Sequence, residues 1–291
     1  NSVSVNAANA TITPTGMSLA VNEESTYVIK ATFAGLSDAS PASSAAGVRV
    51  LLSNVDVDGT AVGSSSITKS GLGTAFNTFS VYKSLPTVAQ VDFTGSDNIS
   101  GSGTYNLKKF SVTADSTGPI GLYKFTFGVS TSSESLTDSG YYLYESDSSS
   151  SLGNVIAKGS DITVTHETGQ VAILEVYLDV NDDTTAAPAL EHRVIALGAT
   201  KYYTLRGYVT EDGTANNGSI STVFAGDPVF AGTAPLKAEV TDSTAQNDFI
   251  WSDLNFDLYS TSTATQTMGW FNGFRVPGLD TTSSTGQIIT D

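Results

Sequence analysis

An acidic cluster stands directly behind the most apolar run of the chain. Four oxygen-bearing residues follow the predicted strand 171–178: Asp179, Asn181, Asp182 and Asp183. Calcium takes six to eight oxygen ligands from flexible carboxylates and carbonyls, and a loop at a strand end can supply several of them. The cluster therefore predicts a calcium site, although it lacks the glycine and the terminal glutamate of an EF-hand loop. The alternative is a solvated turn, since Asp and Asn are also turn formers.

The histidines do not form a recognisable catalytic pattern. The chain has two of them, His166 and His192. A Ser–His–Asp triad needs a histidine, but neither lies near a nucleophile-elbow sequence, and the zinc-protease pattern H-E-x-x-H does not occur. Paired carboxylates can lie far apart in sequence, so their spacing gives no signal in so acidic a chain. We predict that the protein is not an enzyme.

Adjacent aromatic residues occur in three predicted strands: Tyr141–Tyr142, Tyr202–Tyr203 and Trp270–Phe271. Neighbouring strand residues face opposite sides, so one ring of each pair should leave the core face of its own sheet. An outward ring can stack on a sugar or be buried in a subunit contact. The predicted binding or interface residues are Trp270, Phe271, Tyr141 and Tyr142. The alternative is that a neighbouring domain or loop covers the outward rings. We also expect Trp251 and Trp270 to anchor the last part of the core.

The charge balance narrows the choice of partners. The 291 residues include 29 acids and 13 bases, which gives a formal net charge of −16. Nucleic-acid binding rests on Lys and Arg neutralising phosphates, so we do not expect nucleic acid as a partner. Divalent cations are suitable partners for so acidic a surface, and acidity also keeps a secreted protein in solution.

The residue types that are absent also bear on the class of protein. The chain has no cysteine, which excludes disulfides and thiolate chemistry. No stretch reaches the roughly 18 apolar residues of a membrane helix, so we expect no transmembrane segment. There is no basic segment followed by an apolar run and no initiator Met, so we expect the numbering to start on a mature or trimmed chain. These features favour an extracellular, cell-surface location.

Alternating apolar and polar residues predict strands along most of the chain. The clearest case is 108–129, where Phe110 and Val112 share one face and the later residues Tyr123, Phe125 and Phe127 share another. The turn sequence Asp-Ser-Thr-Gly-Pro separates the two runs, which predicts either a hairpin or a corner between sheets. Short strands at roughly 8–12-residue spacing are typical of β-sandwiches. We predict an all-β fold of tandem immunoglobulin-like sandwich domains.

The predicted domains follow from breaks in this strand pattern. Residues 1–81 form an N-terminal sandwich, because Pro86 and its neighbours mark a joint before the next strands. Residues 82–280 form a second sandwich region, either as one large sandwich or as two domains joined near residue 160. Residues 281–291 form a C-terminal tail that is predicted to be an arm.

Four phrases occur in order along the chain: VYKSLPTV at 81–88, KFSVTADSTGPIGLYKFTF at 109–127, LGATKYYTLRGYV at 197–209, and NDFIWSDLN with GWFNGFRVPGL between 247 and 279. Together they resemble a family of long, repetitive cell-surface proteins of candidate-phyla-radiation bacteria (Patescibacteria). The resemblance implies an exported, β-rich surface-layer or adhesin-like protein and supplies no catalytic residues. This chain is short for that family, which implies a processed subunit or one part of a longer precursor.

The leading functional hypothesis is a structural subunit of an extracellular assembly, such as a filament, a pilus-like fibre or a surface layer. Sheet edges are templates for pairing with another chain, so the expected partners are copies of the protein itself. The alternating, uncharged segment 2–13 either completes a neighbour's sheet by strand addition or forms the first strand of its own domain. The alternative function is an adhesin or carbohydrate-binding module that uses exposed aromatic rings, and a third is a hydrolase on a sandwich scaffold.

Overall fold

The computed structural model divides the chain into two compact units, residues 1–34 and 35–291. In the first unit the described residues are Glu23 and Glu24, which are both exposed. All strands and helices named here belong to the second unit. Its described residues are 47–48, 79–80, 82–93, 98–167, 171–178, 192–211, 218–229, 247–254, 269–279 and 286–291.

The described residues are mostly strand, which confirms the predicted all-β class. The strands are β1 (Gly47–Val48), β2 (Phe79–Ser80), β3 (Pro86–Gln90), β4 (Gly103–Ala114), β5 (Ile120–Ser132), β6 (Glu134–Leu136), β7 (Tyr142–Ser146), β8 (Asn154–Lys158), β9 (Ile162–Glu167), β10 (Val171–Tyr177), β11 (Arg193–Ile195), β12 (Thr200–Glu211), β13 (Ser219–Phe224), β14 (Phe249–Ser252) and β15 (Gln287–Thr290). Two short 3-10 helices, Asp138–Gly140 and Gly159–Asp161, accompany them. Within the described residues, no helix is long and apolar enough to span a membrane.

The strands form two antiparallel sheets and a small ribbon. The larger sheet has seven strands in the order β15-β13-β5-β10-β9, with β11 and β14 also paired to β5. The smaller sheet has six strands in the order β3-β4-β12-β7-β8, with β6 also paired to β12. The strands β1 and β2 pair with each other.

One apolar core lies between the two sheets. Phe110 on β4 of the smaller sheet packs against Phe125 and Phe127 on β5 of the larger sheet, with ring centroids 5.4 Å and 5.8 Å away. Such rings bury large apolar areas, and their tilted and edge contacts add to the burial. The alternating inward residues of both sheets thus hold them face to face in a β-sandwich-like arrangement.

The segment 108–129 is a corner and not a hairpin. Its two runs form β4 and β5, which belong to different sheets. The turn between them is held by side chains: the Thr117 N–H donates to Asp115 Oδ1 at 2.8 Å, and the Ser84 hydroxyl donates to the Gly118 carbonyl at 2.7 Å. The Gly and Pro of the turn correctly indicated a chain reversal, but not which sheet each strand would join.

The alternation along β5 is interrupted near its start, which corrects one expectation. Sequence alternation predicts that Tyr123 shares the inward face of Phe125. The register between β14 and β5 shifts at this point, and Leu122 packs in the main core beside Phe125 instead. A bulge changes the phase of a strand by one residue, so the side chains before and after it alternate differently. A second, smaller cluster contains the displaced ring: Tyr123, Tyr177, Ile250 and Trp270.

Strands from both sides of residue 160 contribute to both sheets. In the smaller sheet, β4 pairs with β12, and in the larger sheet, β5 pairs with β10. The helix Gly159–Asp161 carries the chain from β8 in one sheet to β9 in the other. Within the predicted C-terminal tail, 287–290 form β15 against β13. The predicted domain boundaries at 81 and 280 stay predictions.

Candidate functional site

The predicted calcium residues are not among those that the structure describes. Asp179, Asn181, Asp182 and Asp183 all fall in the gap that follows residue 178. In the rest of the chain, as far as it is described, no group of three or more acidic or histidine residues could hold a metal ion. The calcium site therefore stays a prediction.

The predicted binding aromatics lie mostly inside the protein. Trp270, Phe271 and Tyr141 are 3%, 6% and 1% exposed, and Tyr142 is half-buried. Trp270 packs on Tyr123 in the second cluster, with ring centroids 6.0 Å apart. Both rings of the Trp270–Phe271 pair are thus covered by this chain, so three of the four residues offer no ring to a sugar.

The last part of the core is anchored by Trp251. Its indole N–H donates to the Asn272 carbonyl at 3.0 Å, and its ring lies 5.1 Å from that of Phe271 and 5.3 Å from that of Tyr82. The donor of this large apolar side chain is therefore satisfied in the interior. The sequence predicts this anchoring role for both tryptophans, and Trp270 lies in the second, smaller cluster.

The two histidines lie in different environments. His166 is exposed on β9 and its Nε2 lies 2.9 Å from Asp138 Oδ1. His192 is half-buried with its ring 5.6 Å from that of Trp270. The His166–Asp138 pair is more than half exposed on both sides, so solvent weakens it strongly.

One lateral side of the sandwich is closed by hydrogen bonds. The Val88 N–H of β3 donates to the Pro277 carbonyl at 2.8 Å, and the Ile99 N–H donates to Thr290 of β15 at 2.9 Å. Between them, the buried Gln287 side chain donates to the Val91 carbonyl at 2.6 Å and accepts from the Lys109 N–H at 2.8 Å. The end strands of both sheets are thereby tied to neighbouring segments and to each other.

The opposite lateral side is open among the described residues. It is formed by β8 and β9, the other end strands of the two sheets, which the three-residue helix Gly159–Asp161 joins. Apart from the pairing with β7 and β10 and the bond from the Ile162 N–H to the Gly159 carbonyl of the connecting helix, no backbone hydrogen bond is described from Val155, Ile156 or β9 to another described segment. Val155 on β8 is 39% exposed and Leu152 just before it is 36% exposed. We call the surface formed by Leu152, β8 and β9 the open edge.

Two ion pairs hold charged residues inside the fold. Lys124 Nζ on β5 lies 2.8 Å from Glu175 Oε1 on β10, and the two side chains are 1% and 9% exposed. Arg193 on β11 forms a bidentate pair with Glu145 on β7, with both distances at 3.0 Å. The second pair joins one sheet to the other, because β11 and β7 belong to different sheets.

Tyr203 completes the second ion pair. Its hydroxyl donates to Glu145 Oε2 at 3.0 Å. Burial, more than the nearby Glu145 carboxylate, raises the pKa of Tyr203 well above its usual value. Tyr203 therefore stays protonated and keeps its hydrogen available to Glu145 at physiological pH.

A buried carboxylate fastens the segments after β13 to β14. Asp227 is fully buried and accepts backbone hydrogen bonds from Asp248, Phe249 and Gly273 at 2.9, 3.3 and 2.6 Å. Burial raises the pKa of Asp227 to about 7, and the nearby Asp248 adds to the rise, although the three N–H donors act in the opposite direction. Desolvation thus outweighs the hydrogen bonds in setting its protonation.

Comparison with known proteins assigns no family to this architecture. No protein-family model matches the chain, and no curated protein matches it. A solved structure described as AvmM, which catalyses macrocyclization in alchivemycin A biosynthesis, has a TM-score of 0.24 and 9% identity, over 49% of this chain and 73% of that one. A second, described as manganese lipoxygenase of Gaeumannomyces graminis with a partial zonadhesin of Komagataella pastoris, has a TM-score of 0.23 and 8% identity. The matched region covers 51% of this chain and 46% of that structure. Similarity this low carries no argument about function.

The sequence did not indicate the open edge or the buried charges. Whether a strand is central or terminal depends on pairings between distant segments, which one strand's composition does not encode. One local feature points to the open edge. The Ser-rich run 148–151, which favours a solvent-exposed loop, is followed closely by the apolar residues Leu152 and Val155.

Proposed function

We propose that this protein is a structural subunit of an extracellular, cell-surface assembly, and that its copies associate through their β-sandwich domains. In this proposal the two described sheets form an immunoglobulin-like sandwich, and the residues before it form another in tandem. The resemblance to the surface proteins of Patescibacteria supports this reading. The assembly is a filament, a pilus-like fibre or a surface layer.

The open edge is the observation that carries the proposal. Proteins usually protect the end strands of a sheet with charges, prolines, bulges or covering segments. The β3 and β15 side has such cover, whereas β8 has no second strand beside its outer backbone among the described residues, and it exposes Val155 and the neighbouring Leu152. Its own protection consists of one bulge against β7 and the charge of Lys158. A strand of a second copy that pairs with β8 would satisfy this backbone and bury these side chains.

The segment 2–13 supplies a suitable strand for that pairing. It lies outside the described residues, so its assignment as a donor rests on its sequence. It alternates and contains no charged residue, and β8 carries a single charge at Lys158. Two such strands can approach without the like-charge repulsion that a net charge of −16 imposes elsewhere on the surface.

Replacing Val155 by Lys tests the role of the open edge. A charge on an end strand opposes pairing with another chain, so the Val155→Lys variant should show a smaller assembled fraction in sedimentation velocity. The matched control is Tyr208→Lys, because Tyr208 is similarly exposed at 42% but lies on β12, which has strands on both sides. An assembled fraction that falls equally in both variants would exclude this edge as the contact.

The alternative function, a glycan-binding module, has no support from the predicted aromatics. Trp270, Phe271 and Tyr141 are buried in this chain, so they do not form a platform for stacking. Catalysis is likewise not part of the proposal, because no described constellation of nucleophile and base motivates it.

A further inference from the structure

A cavity between the sheets contains a lysine that has no charged partner among the described residues. The cavity has a volume of about 160 Å³ and lies between β3, β4 and β13. Its lining combines polar and apolar groups: Val88 and Gln90 from β3, Lys108 and Phe110 from β4, Val223 and Phe224 from β13, and Gly278. A cavity of about 150 Å³ is large enough to hold a molecule of the size of benzene.

The alternation of β4 places the Lys108 side chain on the face that lines this cavity. It lies two residues before Phe110 and therefore shares the inward face of β4. Its side chain is almost wholly enclosed, since the residue is 5% exposed. Its Nζ donates to the neutral Gln90 Oε1 at 3.1 Å, and no carboxylate is among the described residues that line the cavity.

The environment of Lys108 differs from that of the other buried lysine. Lys124 is compensated by Glu175 at 2.8 Å, whereas the described partner of the Lys108 amine is the neutral amide oxygen of Gln90. Burial lowers the pKa of Lys108 to about 8. A large share of its amine is therefore neutral and nucleophilic at mildly basic pH, the condition that activates lysines for reaction with carbonyl compounds.

We propose that Lys108 is a reactive amine that binds small apolar aldehydes in this cavity as imines. The neutral Nζ attacks the carbonyl carbon, and the resulting carbinolamine loses one water molecule, so that a C=N bond replaces the C=O bond. The two hydrogens of the amine leave with the carbonyl oxygen as that water, and no oxidant or reductant takes part. An imine carries no charge when unprotonated, so its formation removes the cost of a buried ammonium.

Reductive trapping tests the proposal on the full chain. The protein is incubated with butanal and cyanoborohydride at pH 8, digested, and mapped by mass spectrometry. The initial rate of N-butylation at Lys108 should exceed that at the neighbouring Lys109 several-fold, and its pH profile should have a midpoint near pH 8. In concentrated urea the preference should vanish, because the cavity no longer exists.

Two variants and a larger aldehyde complete the test. Lys109→Arg should leave the labelling of Lys108 unchanged, and Lys108→Met should remove the preferred label while circular dichroism shows the same fold. Naphthaldehyde, which exceeds a benzene-sized cavity, should label Lys108 no faster than Lys109. Equal native rates at the two lysines with butanal, or a preference that persists in urea, would overturn the proposal.

Discussion

At the scale of single residues, the pair Lys124–Glu175 is the clearest electrostatic feature of the interior. Removing one member of a buried pair leaves an uncompensated charge, which costs about 3–5 kcal/mol. We expect Lys124→Met and Glu175→Leu each to lower the free energy of unfolding by that amount. The double variant should recover most of the loss, because apolar residues of similar volume replace both charges.

Urea unfolding monitored by tryptophan fluorescence measures these changes. A double variant that is as unstable as the sum of the single variants would show that the two charges do not compensate each other. The Lys201–Asp147 pair provides the surface control, since Asp147 is 85% exposed. Neutralising that pair should leave the unfolding midpoint unchanged.

Asp227 makes stability depend on pH. Its folded-state pKa of about 7 lies above the unfolded value of about 3.9, so between these values the folded state holds the proton more tightly. Stability contributed by this group is thus present at low pH and is lost as the pH rises toward 7, at no more than about 1.4 kcal/mol per pH unit.

The variant Asp227→Asn isolates this contribution. An amide replaces one acceptor oxygen with a donor that faces backbone N–H groups, so the variant should be less stable by about 1–3 kcal/mol. The difference in unfolding free energy between variant and wild type should shrink as the pH rises from 4 to 7. A difference that is constant over this range would mean that Asp227 does not titrate there.

At the scale of the elements, the bidentate pair Arg193–Glu145 joins β11 in the larger sheet to β7 in the smaller one. Its side chains are 24% and 12% exposed. A double-mutant cycle with Glu145→Gln and Arg193→Met should give a coupling free energy of about 1–3 kcal/mol, as for hydrogen bonds between charged groups that are largely buried.

Tyr203→Phe distinguishes the roles within this cluster. It removes the hydroxyl that donates to Glu145 but keeps the ring stacked at 5.2 Å on Phe110. The expected loss is about 1 kcal/mol, the usual contribution of one hydrogen bond. A loss as large as that of Glu145→Gln would mean that the ring position, and not the hydrogen bond, depends on the hydroxyl.

Strand existence was predictable from the sequence, but strand neighbours were not. The alternation around Phe110 and Phe125 correctly placed two strands and their inward faces, because period two follows from local geometry. The predicted inward orientation of Tyr123 was wrong, because a bulge in the pairing of β5 with β14 changes the alternation at this point. The open edge was also not predictable from the sequence, because it results from the order of strands that are distant along the chain.

The predicted sites illustrate the same limit. Adjacent aromatics such as Trp270 and Phe271 were expected to split between core and surface, yet a second apolar cluster on the outer face of the larger sheet buries the ring of Trp270. The buried Lys108 and Lys124 lie in strands whose alternation was readable. The burial of the two lysines was not predictable from that alternation, because it depends on which segments cover each face of the sheet.

At the scale of the whole molecule, charge and association act against each other. Copies with a net charge of −16 repel one another, and this repulsion is screened by salt. Raising NaCl from about 10 mM to about 150 mM shortens the screening length from about 30 Å to about 8 Å. We expect the assembled fraction, measured by light scattering, to rise over this range. A fall would indicate that ion pairs between copies, and not strand pairing, hold the assembly.

Negative-stain electron microscopy of the purified full chain, with and without a calcium chelator, tests most directly whether copies of the protein assemble. We expect regular filaments or sheets for the wild-type protein and their loss in the Val155→Lys variant. Loss of order with the chelator would add the predicted calcium to the contacts between copies. Dispersed single particles of the wild type in both conditions would contradict the assignment as a structural subunit.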